Sequence, residues 1–194
     1  MTVTAAKLIW LAGCIAWYAL RYPHERRARR TAIAARHEWG RERILLAVSF
    51  SGLFLVPLFY AVTDRPKFAN YPLQPALTVL GAAVFAAALY LFHRTHRDLG
   101  RSWSVTLELR EKHALVTGGV YRYVRHPMYS AFWLWAIAQA LLLPNWVAGF
   151  AGLVGFGTLF FGRVGREERM MLAAFGDEYR AYAARTKRVV PGIY

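Results

Sequence analysis

Cysteine and acidic residues are scarce in this sequence. The 194-residue chain has one cysteine, Cys14, which excludes an internal disulfide and any metal or redox site built from several cysteines. It has 11 acidic residues against 25 lysines and arginines, so its formal net charge is +14. At 57% hydrophobic residues the chain is too apolar for an ordinary soluble domain, and its length suits a single domain.

The basic residues stand in blocks between apolar runs. A nucleic-acid-binding protein would gather them on one soluble face, so the pattern argues against a nucleic-acid partner and for a protein surrounded by membrane lipids. The counts of Lys and Arg are eight in 21–43, two in 63–75, seven in 93–128 and seven in 163–194. The positive-inside rule then predicts an N-terminus outside, with segments 21–43, 93–128 and 163–194, and hence the C-terminus, in the cytoplasm.

Four apolar regions predict the membrane topology. Segments 3–20, 44–62 and 76–92 each have the length of a transmembrane helix. A fourth region, 129–162, is interrupted at Pro144-Asn145, which leaves two short arms and predicts a helical hairpin. The sequence thus predicts an all-α integral membrane protein with about five transmembrane helices, the last two forming the hairpin.

The N-terminal segment and the source of the protein can also be inferred. Leu11–Cys14 resembles a lipoprotein cleavage box, but the apolar stretch between Lys7 and Cys14 is too short for a signal sequence, so a retained first helix is expected. The high alanine and arginine content suggests a bacterial source, and hence the bacterial inner membrane.

The segment Tyr121–Ser130, with the sequence YRYVRHPMYS, precedes the hairpin. Proline disfavours helix in the residue before it and suits the first helical turn, so His126-Pro127 predicts the start of a helix. A helix N-terminus beside Arg122 and Arg125 favours a bound carboxylate or phosphate. The alternative is a belt of aromatic and arginine side chains at the lipid headgroups.

Charged residues also follow the hairpin, in the sequence RVGREER. Arg163 and Glu167 are four residues apart on one face of a predicted helix, 163–186, in which Gly176 predicts a bend. Glu167 and Glu168 point about 100° apart, so one of them should face inward. Antiparallel arms would bring this segment close to His126. A solvated run of charges is the alternative.

Two further patterns give only weak evidence for a functional site. His93 and His96 have a spacing that metal ligands can have, but without a third ligand no metal site is predicted. The glycine-rich run Gly149–Gly157 lies inside an apolar segment with no strand before it, which favours close helix packing over a nucleotide loop.

The segments Leu115–Tyr129 (LVTGGVYRYVRHPMY) and Arg166–Pro191 (REERMMLAAFGDEYRAYAARTKRVVP) resemble the isoprenylcysteine carboxyl methyltransferase family and its phospholipid methyltransferase relatives. The resemblance covers about residues 100–194. It implies a membrane methyltransferase that binds S-adenosylmethionine in a cytoplasmic pocket capped by the C-terminal helix. We therefore divide the single domain, 1–194, into three N-terminal transmembrane helices, 1–92, and a catalytic region, 93–194.

The resemblance also implies the roles of individual residues. Arg163 and Glu167 would be catalytic, and Arg163 would also bind the substrate. The cofactor-binding residues would be His113, Ala114, Leu115, Val116, Tyr121, His126, Pro127, Met128, Tyr129 and Glu167.

The expected reaction is direct displacement at the sulfonium methyl group of S-adenosylmethionine, which depends mainly on alignment. A carboxylate acceptor needs no base, whereas a thiol or an amine would need Glu167 or His126 to remove a proton. A lipophilic tail is expected to enter between the hairpin and the third helix. A sterol-reductase-like enzyme using a nicotinamide cofactor, suggested by the terminal RVVPGIY, and a non-catalytic membrane scaffold are the alternatives.

Overall fold

The computed structural model describes residues 2–28, 39–99 and 115–194. Within these ranges the regular structure is helical, and two isolated bridges are the only β-type pairing. The α-helices are α1 (Val3–Ala28), α2 (Trp39–Phe50), α3 (Val56–Thr63), α4 (Pro75–Leu99), α5 (Pro127–Leu142) and α6 (Trp146–Arg185). Two 3₁₀ segments, Lys67–Ala69 and Gly119–Arg122, lie in the connections.

The described helices give four to five membrane-spanning elements, close to the predicted number of about five. By length and composition, four stretches can cross a membrane: Val3–Arg26, Gly40–Thr63, Pro75–Leu99 and Trp146–Arg185. The fifth element, α5, has 16 residues and is roughly 24 Å long at 1.5 Å per residue. The predicted all-α membrane protein is therefore confirmed, although α1 continues beyond the predicted end at residue 20.

The second membrane-crossing element is interrupted by a π-helical turn, Ser51–Leu55, which joins α2 to α3 without ending the helix. This turn lies against α6, where an added Cβ on Gly52 would overlap the carbonyl oxygen of Ala151. The side chain of Gln139, from α5, donates hydrogen bonds to the carbonyls of Gly52 (3.1 Å) and Ala148 (2.7 Å). Gln139 thus links the π-helical turn, α5 and α6 in the interior of the bundle.

Aromatic rings fill the centre of the helix bundle. Trp135 lies with its ring centroid 5.3 Å from that of Trp17, 5.0 Å from that of Phe54 and 5.1 Å from that of Phe85. These rings come from four different elements, and such tilted and edge-on arrangements are favourable for aromatic pairs. The core therefore joins the three N-terminal membrane segments to the hairpin.

Helices α4 and α5 pack directly against each other. An added Cβ on Gly81 would lie 2.9 Å from Leu141 Cβ and 3.0 Å from Leu142 Cγ, so the two backbones approach closely there. Farther along, the rings of Phe92 and Phe132 meet edge-on at 5.9 Å. The expected entry for a lipophilic tail between the hairpin and the third helix is therefore wrong for this pair of helices.

The tip of the hairpin is fixed by Asn145. Its Oδ1 accepts a hydrogen bond from the backbone N–H of Ala148 (2.9 Å) and caps α6, while its Nδ2 donates to Pro66 O (2.9 Å) and Asn70 Oδ1 (2.7 Å). The glycine-rich run begins immediately after this cap, and an added Cβ on Gly149 would lie 2.9 Å from a backbone oxygen of the turn. Close helix packing, rather than a nucleotide loop, is confirmed for this run.

The last helix is longer than predicted. The second hairpin arm and the predicted helix 163–186 form one helix, α6, because nothing between residues 163 and 175 breaks the helix as it leaves the apolar segment. At Gly176 the backbone takes φ 51° and ψ −123°, so the expected bend is confirmed. After Arg185 the chain turns back towards the start of α5.

Candidate functional site

The start of α5 forms one wall of the site. Pro127 is the first residue of the helix, and His126 precedes it with a non-helical backbone, as the sequence predicted. The C-terminal tail supports this segment, because the backbone N–H groups of Arg125 and His126 donate to the carbonyls of Lys187 (2.7 Å) and Arg188 (2.9 Å). Residues 124–126 are thereby held against the end of the chain.

Glu167 meets the first turn of α5 across the hairpin. Tyr129 Oη donates a hydrogen bond of 2.6 Å to Glu167 Oε2, and His126 Nδ1 lies 3.8 Å from Glu167 Oε1. His126 and Tyr129 are buried and their rings stack at 5.4 Å, whereas the Glu167 side chain is 28% exposed. The structure thus brings His126, Tyr129 and Glu167 together, with the carboxylate partly open to solvent.

Arg163 lies one helical turn before Glu167 and is buried. Its Nε is 3.9 Å from Glu167 Oε2, and its Nη1 is 3.4 Å from Glu42 Oε1. Glu42 is also buried and comes from the first turn of α2, far away in the sequence. The guanidinium therefore lies between two carboxylates, one on its own helix and one on the N-terminal half of the chain.

Glu168 points away from Glu167 and joins three segments. Arg125 donates to Glu168 Oε1 through Nε (2.9 Å) and Nη2 (2.6 Å), and Arg188 donates to Glu168 Oε2 through Nε (2.9 Å) and Nη2 (2.7 Å). The hydrogen bonds to Glu168 raise the pKa of the Arg188 guanidinium, which also donates to Tyr194 Oη. His126 lies between the two adjacent glutamates, with Nε2 3.4 Å from Glu168 Oε1 and Nδ1 3.8 Å from Glu167 Oε1, while their other partners differ.

The two arginines of the YRYVRHPMYS segment differ in their surroundings. Arg125 is taken up by Glu168 and by the carbonyls of Ala183 and Thr186, so the prediction that it adds charge to an anion at the start of α5 is not supported. Arg122 instead lies over the ring of the exposed Tyr123, 4.5 Å from its centroid. Arg122 thus stays at the surface of the protein.

The glycine turn leads to Tyr121. Gly119 has φ 60°, a backbone conformation that suits glycine, and Asp98 Oδ2 accepts a hydrogen bond from the N–H of Val120 (2.9 Å). Tyr121 is buried, its carbonyl accepts a hydrogen bond from Tyr182 Oη (2.6 Å), and burial raises the pKa of its hydroxyl. The turn is therefore held from α4 on one side and from α6 on the other.

The remaining predicted cofactor residues divide into two groups. Leu115, Val116 and Met128 are half-buried and Pro127 is buried. His113 and Ala114 lie outside the described residues.

Of the two histidines that have the spacing of metal ligands, His96 lies against His24 of α1. Buried His96 has its Nδ1 3.0 Å from Phe92 O and its ring 4.6 Å from that of His24. In the described ranges no three His, Cys, Asp or Glu side chains are grouped as metal ligands.

Sequence reasoning missed Glu42, Asp98 and Arg188. Glu42 and Asp98 are acids at the ends of apolar helices. Because the chain has only 11 acidic residues, an acid in such a place is a signal that could have identified them. Arg188 gave no such signal, because its role depends on the tail turning back after α6.

Comparisons with known proteins show the family of the chain. The profile of the isoprenylcysteine carboxyl methyltransferase (ICMT) family matches residues 77–173, which is half of the chain. The chain is 35% identical over 106 residues to a protein-S-isoprenylcysteine O-methyltransferase of Schizosaccharomyces pombe, covering 54% of this chain and 45% of that protein. It is 37% identical over 96 residues to protein-S-isoprenylcysteine O-methyltransferase B of Arabidopsis thaliana, covering 48% and 49%.

A solved structure shares the fold. The structure of the eukaryotic intramembrane Ras methyltransferase ICMT superposes with a TM-score of 0.54 at 24% identity, over 82% of this chain and 55% of the other. The chain thus spans about half the length of the relatives that it matches.

Proposed function

Because the chain belongs to the isoprenylcysteine carboxyl methyltransferase family, we propose that it is a membrane-embedded methyltransferase that uses S-adenosylmethionine to methylate a carboxylate on a lipophilic acceptor. The observation that carries the proposal is the pair Arg163 and Glu167, one helical turn apart at the end of the hairpin and in contact with the start of α5. When bound, S-adenosylmethionine supplies an electrophilic methyl group on a sulfonium centre.

The residues at the start of α5 suit this cofactor. A partly exposed carboxylate, Glu167, can accept an ammonium group, and the first-turn amides of Met128 and Tyr129 can donate to a carboxylate. Leu115, Val116 and Tyr121 supply apolar surface on the approach to this helix. We retain His113 and Ala114 as proposed cofactor residues on the strength of the family resemblance.

The acceptor class follows from charge. Three buried or half-buried carboxylates, those of Glu42, Glu167 and Glu168, lie beside the three guanidinium groups of Arg125, Arg163 and Arg188. This set is neutral, and the cofactor adds one net positive charge. A singly negative acceptor restores neutrality, which favours it because uncompensated charge is costly in a buried site. The acceptor carboxylate is ionised at neutral pH and needs no general base.

Arg163 is the group proposed to hold that carboxylate in line for methyl transfer, because a guanidinium binds carboxylates with two parallel hydrogen bonds. The names of the relatives indicate S-isoprenylated cysteine as their substrate. A carboxylate attached to an isoprenoid thioether combines the negative charge that the site favours with a tail that membrane lipids solvate. We propose an isoprenoid acid of this kind as the acceptor.

The topology gives the proposed location. We propose that the end carrying Arg163 and Glu167 faces the cytoplasm, since the basic blocks lie on that side under the positive-inside rule. The inference of a bacterial inner membrane rests on composition, and the relatives named above are eukaryotic. The division into a 1–92 membrane segment and a 93–194 catalytic region likewise stays a proposal.

Calorimetry on the detergent-purified protein tests the cofactor. Binding of S-adenosylhomocysteine is expected, with a Kd raised about tenfold or more in Glu167→Ala, because a charge-assisted contact is removed. Absence of heat from S-adenosylhomocysteine, together with thermal stabilisation by NADPH, would support the sterol-reductase-like alternative instead. Binding of neither ligand would support the membrane scaffold.

A further inference from the structure

Glu42 is a buried charged group that the family match does not cover. The profile begins at residue 77, whereas Glu42 lies in the first turn of α2, at the N-terminal edge of the second membrane-crossing element. An acidic side chain is favourable near a helix N-terminus, but burial of its carboxylate still requires a positive partner. Arg163 is that partner, with Nη1 3.4 Å from Glu42 Oε1.

The packing of α2 on α6 fixes Glu42 beside Arg163. A Cβ added to Gly155 would lie 3.1 Å from Gly52 Cα, and a Cβ added to Gly162 would lie 3.0 Å from Leu45 Cδ1. Gly52 and Leu45 are seven residues apart, and so are their partners on α6, Gly155 and Gly162. The second membrane-crossing element therefore runs antiparallel to α6. This antiparallel register, held by two close glycine contacts, continues to the ion pair between Glu42 and Arg163.

The guanidinium of Arg163 therefore has carboxylates on both sides, at 3.4 Å on Glu42 and 3.9 Å on Glu167. Arg163 and Glu167 share one helix face at the i,i+4 spacing, at which oppositely charged side chains attract each other. Without the charge of Glu42, this attraction would draw Arg163 towards Glu167. The same Glu167 accepts the hydrogen bond from Tyr129, so its surroundings would also change.

We propose that Glu42 is a positioning residue for the methyl acceptor: its charge holds Arg163 away from Glu167, so that the guanidinium binds the acceptor carboxylate and Glu167 stays available to the cofactor. The inference rests on the proposed function. It assigns part of the acceptor site to the N-terminal half of the chain, so the two halves of the protein form one site.

The test compares Glu42→Gln and Glu42→Asp in detergent-purified full-length protein. The assay measures methyl transfer from S-adenosylmethionine to an S-farnesylated cysteine with a free carboxylate. Glu42→Gln keeps the shape and removes the charge, and we expect kcat/KM for the acceptor to fall about tenfold or more, because small displacements of a positioning group are costly. Glu42→Asp keeps the charge and is expected to retain more activity than Glu42→Gln. The Kd for S-adenosylhomocysteine should also rise in Glu42→Gln, because Arg163 then competes with the cofactor for Glu167, and should stay close to the wild-type value in Glu42→Asp.

Glu25→Gln is the matched control. Glu25 also pairs with an arginine on a helix, Arg21, at 3.1 Å, and it lies outside the site. Its variant should have wild-type kcat/KM. A purely steric role for Glu42 would give the reverse order, with the isosteric Gln better than Asp, and would overturn the proposal, as would unchanged acceptor kinetics in Glu42→Gln.

A second measurement separates this inference from the proposed function. In thermal unfolding, Arg163→Met and Glu42→Gln should each lower Tm, and the double variant should lower it by less than the two single shifts together, because the two single changes remove the same ion pair. Additive shifts would overturn the ion pair and the inference with it. If the wild type binds S-adenosylhomocysteine and methylates no carboxylate, the proposed acceptor class fails and so does the acceptor role of Glu42, even where the shifts are non-additive.

Discussion

Two adjacent glutamates at the end of the hairpin contact different tyrosine and arginine side chains. Glu167 contacts Tyr129 and lies near Arg163, whereas Glu168 binds Arg125 and Arg188. The sequence predicted that only one of the two faces inward, because successive helical residues point about 100° apart, and this is wrong, since the Glu168 side chain is 14% exposed and that of Glu167 28%. It could not predict that Glu168 is internal as well, since its partners come from the segment before α5 and from the tail.

Glu168→Gln should therefore mainly lower stability, whereas Glu167→Gln should mainly weaken cofactor binding. Glu168→Gln leaves Arg125 and Arg188 without their carboxylate, and we expect the free energy of unfolding to fall by roughly 2–3 kcal/mol, less than for a fully buried pair because Arg188 is partly exposed. Glu167→Gln should leave stability within about 1 kcal/mol and weaken S-adenosylhomocysteine binding about tenfold. Denaturant titration and calorimetry on both variants decide. Equal losses of stability would contradict the assignment.

Tyr129 orients Glu167 through one hydrogen bond of 2.6 Å. Tyr129→Phe removes that donor and keeps the ring that packs on Phe160. We expect a loss of about 1 kcal/mol in stability and a fall of about tenfold in kcat/KM, since a buried hydrogen bond to a charged group is lost. Tyr123→Phe, at an exposed ring, is the control. Wild-type kinetics in Tyr129→Phe would show that this bond does not orient the carboxylate.

At the scale of elements, the turn before Tyr121 is held by a cap from another helix. An added Cβ on Gly119 would overlap the carboxylate of Asp98, and its φ of 60° disfavours other residues. Gly118 is its neighbour, with φ −91° and open space where a Cβ would stand. The sequence marked the two glycines as a turn, but the partner 20 residues earlier depends on how α4 ends.

The pair of glycines offers a matched experiment. Gly119→Ala should displace the turn and weaken S-adenosylhomocysteine binding about tenfold or more, because both the backbone strain and the clash with Asp98 must be relieved. Gly118→Ala should leave binding unchanged. Calorimetry on both variants checks this. A normal Kd in Gly119→Ala would show that the turn does not contribute to the cofactor site.

The close approach of α2 and α6 gives a second test at this scale. An added Cβ on Gly155 would lie 2.8 Å from Val48 O, so Gly155→Ala should lower stability by about 1–3 kcal/mol. Gly165→Ala, in the same helix with open space around it, should be neutral or up to about 1 kcal/mol stabilising through helix propensity. Thermal unfolding of the two variants in one detergent checks the difference. A loss of stability in Gly165→Ala alone would contradict the packing.

For the whole molecule, hydropathy and charge were enough to predict an all-helical membrane protein with four to five membrane-spanning helices and the hairpin. Helix ends were less predictable: α6 runs beyond its apolar segment because nothing between residues 163 and 175 breaks it, and α1 continues through Pro23, where a helix would ordinarily end or kink. The convergence of Tyr129 and Glu167 followed from the antiparallel arms. The contact between Glu42 and Arg163 could not be predicted, since it depends on the register of α2 against α6, which the local sequence pattern does not encode.

The central claim is methyl transfer to a carboxylate, and the chemistry of the product tests it directly. The purified protein is incubated with methyl-labelled S-adenosylmethionine and an S-farnesylated cysteine, and the product is treated with alkali. A methyl ester releases its label as methanol, whereas a methylated amine or thioether keeps it. The account predicts alkali-labile label that is lost in Arg163→Ala. Alkali-stable label, or equal labelling by Arg163→Ala, would contradict it.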